Sequence, residues 1–130
     1  MEIKLPAIRI ASKTPSQNSV QVKCRLLSLK CCHSTEKDGD EVFIKFENKK
    51  IWPVGAFARF KTNEEFVINL DVISDGRGFI RLDFWEKDFF KDDLIGYFQF
   101  VTVGSRGIFS TDLTPCHKDA RPGYVLAWEM

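Results

Sequence analysis

The side chains best placed to do chemistry in this chain are carboxylates, and they come in two clusters. Glu36, Asp38, Asp40 and Glu41 are offset only by Lys37, and Asp83, Glu86, Asp88, Asp92 and Asp93 only by Lys87 and Lys91. Calcium takes six to eight oxygens at about 2.3–2.6 Å, which carboxylates from two loops can supply while the ion relieves their mutual repulsion. The same acids also fit solvated loop tips that guard sheet edges against aggregation. Cys31, Cys32, His33, Cys116 and His117 are the other metal-ligating residue types. Neighbours on a strand point to opposite faces and do not chelate one ion together, so these read as small buried hydrophobes and surface histidines rather than a zinc set. With two histidines in all, no nucleophile elbow and no phosphate-cradling glycine loop, the chain lacks the equipment of an enzyme and reads as non-catalytic.

The elements that hold these acids must come from 130 residues, enough for one domain that buries roughly two-thirds of its unfolded surface without staples. Hydrophobic residues at 44% and charged residues at 28% exclude a disordered or low-complexity chain. The 19 basic and 18 acidic residues leave a formal +1, so no global field recruits nucleic acid, and electrostatic partners must be met by local patches. Charges interrupt every apolar run well short of the roughly 18 residues a spanning helix needs. The start, MetGluIleLysLeuPro, lacks the basic-then-apolar order of a signal peptide. Four cysteines without a CxxC pair, two of them vicinal, fit reduced thiols in the cytoplasm.

The dominant period is two. Phe66, Ile68, Leu70 and Val72 alternate with Val67, Asn69 and Asp71, and Ile80, Leu82 and Phe84 with Arg81 and Asp83. Val20 to Leu26, Val42 to Phe46, Leu94 to Val103 and Tyr124 to Trp128 continue the pattern, with Phe57 to Lys61 and Gly107 to Leu113 as weaker strands. Turn chemistry separates them at 37–40, 74–78, 103–107 and 121–123. A ThrXXGlu start over 62–66 reads as a turn, because a strand-period run follows it. About eight short strands with this spacing predict an all-β antiparallel sandwich or barrel. Residues 1–19 read as an N-terminal strand or tail plus a short linker, with Pro6 confining any pairing there to an edge. Residues 20–130 form the domain.

From Arg77 to Phe100 a strand, an acidic loop and AspAspLeuIleGly lead into another strand, and this stretch resembles the third loop of a C2 domain. LysAspGlyAspGluValPheIleLysPhe (37–46) is similar to that family's first loop and following strand, AsnGluGluPhe (63–66) to the approach to its fourth strand, and GlyTyrValLeuAlaTrp (123–128) suits its closing strand. The resemblance implies an eight-stranded antiparallel Greek-key β-sandwich. It also implies calcium as cofactor, held by Asp38, Asp40, Glu86, Asp88, Asp92 and Asp93. The sequence departs from the family at Ser34, where a first-loop aspartate is usual. It departs again at Trp85 and Lys87, so that Glu86 and Asp88 align only with a loop one residue shorter.

Phe89 and Phe90 fall at the expected loop tip, outside the strand alternation. Paired exposed aromatics need a partner surface; the resemblance implies insertion into an anionic phospholipid membrane once calcium neutralises the loop, and the alternative is that they fold back over the end of the sheets. Lys45, Lys49, Lys50, Arg59 and Lys61 come together in a strand-turn-strand reading. The resemblance implies a phosphoinositide-binding face there, against the alternative of a dispersed solvated face. Two functions stand: a calcium-dependent peripheral membrane module, or a metal-independent module holding a protein partner. A sugar-binding module rests on fold class alone.

Overall fold

The alternating apolar positions become the inward faces of two sheets in a computed structural model, which describes residues 9–11, 22–74, 77–102, 104, 106–116 and 123–130. Among the described residues there are eleven strands and no helix. They are β1 (Arg9–Ala11), β2 (Val22–Cys31), β3 (Asp40–Phe46), β4 (Lys49–Trp52), β5 (Ala58–Phe60), β6 (Glu65–Ser74), β7 (Phe79–Glu86), β8 (Asp93–Val101), β9 (Ile108–Asp112), β10 (Thr114–Pro115) and β11 (Tyr124–Glu129). One sheet has the order β1-β6-β2-β11-β9. The other has the order β10-β8-β7-β3-β4, with β5 also on β3.

All-β structure and antiparallel pairing are as the alternation predicts, with two departures. β1 pairs parallel with β6, Arg9 opposite Asp71, and it sits at the sheet edge. Residues 1–8, Pro6 among them, and 12–21, with most of the expected linker, lie outside the described residues, as do Val103 and His117. The strand count rises from eight to eleven because β1, β4 and β10 are short. β4 escapes the period-two test, since Lys49 and Lys50 open it and only Ile51 is buried. Residues 62–63 form a turn, with Asn63 at a φ of 74°.

The core lies between the sheets. Leu26, Leu29, Val72, Leu126 and Tyr124 face Ile44, Phe60, Phe84 and Phe98, all buried. Rings bridge the layers: Phe84 and Tyr124 have centroids 4.6 Å apart, Phe60 and Phe66 4.3 Å, and Phe100 and Trp128 stack at 4.0 Å. β2 changes phase midway: Cys24 and Leu26 face in, then Leu29 and Cys31. A bulge between Leu26 and Ser28 makes the switch. Opposite it, Asn69 takes a φ of 52°, a left-handed conformation that asparagine tolerates better than branched residues. Gly96 on β8 lets β10 approach, because a Cβ there would lie 2.2 Å from the Thr114 carbonyl oxygen.

Candidate functional site

The two acidic clusters meet at one end of the six-stranded sheet, because β3 and β7 pair with Val42 opposite Glu86. β7 and β8 then close the second acidic loop, with Glu86 opposite Asp93. The Lys87 N–H donates to the Glu41 carbonyl at 2.7 Å, tying the loop after β7 to the strand after the first cluster.

Asp40 opens β3 and is fully buried. Its carboxylate accepts the Thr35 N–H at 3.0 Å, the Thr35 hydroxyl at 2.8 Å, the Glu36 N–H at 3.0 Å and the Tyr124 hydroxyl at 2.6 Å. A carboxylate has about four lone-pair sites, so these donors fill it. Asp40 thereby wraps the preceding loop around itself and locks it to β11. Burial, and then the Asp40 carboxylate, hold the Tyr124 hydroxyl above its ordinary range, so the donor keeps its proton.

Ligand oxygens of Glu36, Asp40 and Glu86 lie within 4.8 Å of one another. Glu86 Oε2 is buried with no hydrogen-bond partner. Burial raises the Glu86 carboxyl to about 7, and the negative charges of Asp40, Glu36, Asp93 and Asp88 add to the rise. Three crowded carboxylates, one of them with a buried oxygen that has no donor, are an arrangement that a hard cation relieves.

Of the six ligands implied by the resemblance, the fold brings Asp40 and Glu86 together. Glu36, itself exposed, joins them, and Asp38 is not in the group. Asp88 and Asp92 are engaged in their own loop: Asp88 Oδ1 accepts the Phe89 N–H at 2.6 Å, and Asp92 Oδ1 accepts the Asp88 N–H at 3.2 Å and lies 3.7 Å from Lys87 Nζ. Asp93 is exposed at the start of β8. In the sequence Glu36 belongs to the first acidic cluster but not to the six implied ligands, and the signal that pointed to it was its place four residues before Asp40. Among the described residues no cysteine or histidine joins the group. Cys24 and Cys31 are buried thiols, Cys24 raised to about 12 chiefly by burial, and none of the four cysteines is bridged.

No protein-family model matches the chain, and no curated protein matches it. The chemistry therefore rests on geometry.

Phe89 and Phe90 are 90% and 92% exposed, and their rings meet edge to face at 4.9 Å. They do not fold back over the sheets. The basic residues are less unified. Lys45 and Lys50 are cross-strand neighbours, Lys45 Nζ sits 4.6 Å over the Trp85 ring, and Lys50 Nζ donates to the Gly55 carbonyl. Arg59 pairs with Glu41 at 3.4 Å. Lys49 stands opposite inward-facing Phe46, so it leaves the strand on the other side from Lys50, and Lys61 lies exposed beyond β5. Three of the five share the outer face, and one of those three is neutralised. Among the described residues no helix is long and apolar enough to cross a membrane.

Proposed function

We propose that the chain is a C2-like module, an eight-stranded Greek-key sandwich elaborated by short strands, that docks non-catalytically on anionic phospholipid with calcium as the bridge. The observation that carries this reading is the exposed Phe89–Phe90 pair on the loop that Glu86 opens, beside crowded carboxylates. Calcium between Glu36 and Glu86, with Asp38, Asp88, Asp92 and Asp93 from the flanking loops, removes the negative charge that keeps the aromatic tip from an anionic surface. Lys45 and Lys50 add attraction to the headgroups on the adjoining face. Unbridged thiols support a cytoplasmic setting.

One observation favours the second reading, a metal-independent module for a protein partner. Asp40 already has its four donors and would have to release some of them to bind an ion. Calorimetric titration with calcium, beside co-sedimentation with anionic vesicles, separates the two. Heat of binding together with calcium-dependent sedimentation supports the membrane reading, and the absence of both leaves the protein-partner reading.

A further inference from the structure

The edges of the two sheets are not equally protected. β4 carries Lys49 and Lys50 and runs into Pro53, β5 carries Arg59, and β10 is two residues ending in Pro115. Charges and prolines of this kind block edge-to-edge pairing. β9, Ile108–Asp112, closes the five-stranded sheet with no lysine, arginine or proline. Ile108 is 69% exposed and Phe109 is 38% exposed.

The hydrogen-bond parity of β9 shows what its open side offers. Gly107 exchanges both backbone hydrogen bonds with Met130, and the Leu113 N–H donates to Tyr124. Odd-numbered residues therefore pair with β11, and the peptide groups of Ile108, Ser110 and Asp112 face away from it. Among the described residues no backbone hydrogen bond reaches those groups from the open side.

We propose that β9 pairs antiparallel with β9 of a second copy of this chain, about a two-fold axis at Phe109. This register alone sets Phe109 opposite Phe109 and Arg106 opposite Asp112 of the second copy, twice. Ile108 then lies opposite Ser110, both drawn from the residues whose peptide groups are open, so the ladder closes. Phe109 and its counterpart form a close pair, with Cα atoms about 4.5 Å apart as in any pair that exchanges no hydrogen bonds. On that same inward side Phe109 stacks on Trp128 at 4.7 Å, and Trp128 stacks on Phe100. The pairing thus joins two three-ring stacks into one of six. Sliding by two residues either way sets Phe109 against Thr111 or Gly107 and separates Arg106 from Asp112. Opposite charges and aromatic pairs set directly across strands both favour the first register. Isologous two-fold contacts of this kind are the commonest closed assembly.

Sedimentation equilibrium of the full chain from micromolar to millimolar concentration tests this, in chelator so that the acidic loops play no part. A reversible dimer is expected. Ser110→Pro removes an N–H that β11 does not use and should leave a monomer with an unchanged urea melt. Arg106→Asp should weaken the dimer roughly tenfold, and adding Asp112→Arg in the same chain should restore it. A wild-type chain that stays monomeric at every concentration overturns the proposal, whether or not its edge captures a strand of another protein. So does a dimer that survives Ser110→Pro in a folded chain. A dimer lost in Ser110→Pro yet indifferent to Arg106→Asp overturns the register.

Discussion

The Tyr124 hydroxyl donates to Asp40 Oδ2 at 2.6 Å across 84 positions of sequence, joining the first acidic loop to the last strand inside the core. Tyr124 also packs against Phe84 and Phe60, so one side chain anchors both the aromatic core and the loop that carries Glu36.

Replacing Tyr124 with Phe keeps the packing and removes the donor. A hydrogen bond to a charged group contributes about 1.5–3 kcal/mol, and the loss should appear as a lower urea midpoint with an unchanged slope. In a double-mutant cycle with Asp40→Asn the two effects should be strongly non-additive. Simple additivity would show that the bond does not couple the loop to the core.

Glu86 makes stability fall with rising pH. Its folded carboxyl titrates near 7 against an ordinary 4.5, so between those values the native state holds more protons than the unfolded chain, and the slope of unfolding free energy with pH is negative. Its penalty is absent below 4.5, grows through that window and is complete above 7. Glu86→Gln should therefore stabilise the protein at pH 8 and gain little at pH 4, read from urea melts at both values. An equal gain at both would mean that the charge plays no part.

Calcium should raise the melting temperature, since an ion bound to the native state alone adds about 2.7 kcal/mol at one hundred times its Kd. Millimolar magnesium should do much less, because its rigid octahedral demand suits flexible loops badly. Glu86→Gln and Asp93→Asn should weaken the calcium response. Asp83→Asn should retain it, because Asp83 faces outward beside Arg81 at 3.2 Å, away from the carboxylate trio. A response lost in Asp83→Asn and kept in Glu86→Gln would move the ion elsewhere.

The double variant Phe89→Ala and Phe90→Ala should leave the urea melt unchanged, because both rings are almost fully exposed. Burying a Phe contributes roughly 1.5–3 kcal/mol, so vesicle binding should fall by a factor of about one hundred or more. Calcium affinity without lipid should stay the same. Unchanged co-sedimentation would remove the aromatic tip from the proposed docking.

Period-two alternation from Phe66 to Val72 and from Ile80 to Phe84 was enough to determine strands, because a half-buried strand exposes every second side chain to water whatever its partner is. The second acidic loop and the aromatic tip were legible for a related reason: four acids and two adjacent phenylalanines between two alternating runs have no inward face to occupy. Which carboxylates meet was decided only by pairing. Glu36 reaches Glu86 because β3 and β7 align Val42 with Glu86 and because Asp40 folds the intervening loop back through bonds to Thr35 and Glu36. The inward turn of Leu29 and Cys31 was likewise hidden, since a bulge at one residue reverses the parity of everything after it without changing composition. Asp40 reads in sequence as one loop acid among several. The tertiary structure alone made it a buried, fully bonded anchor, because its decisive donor, Tyr124, comes from the far end of the chain.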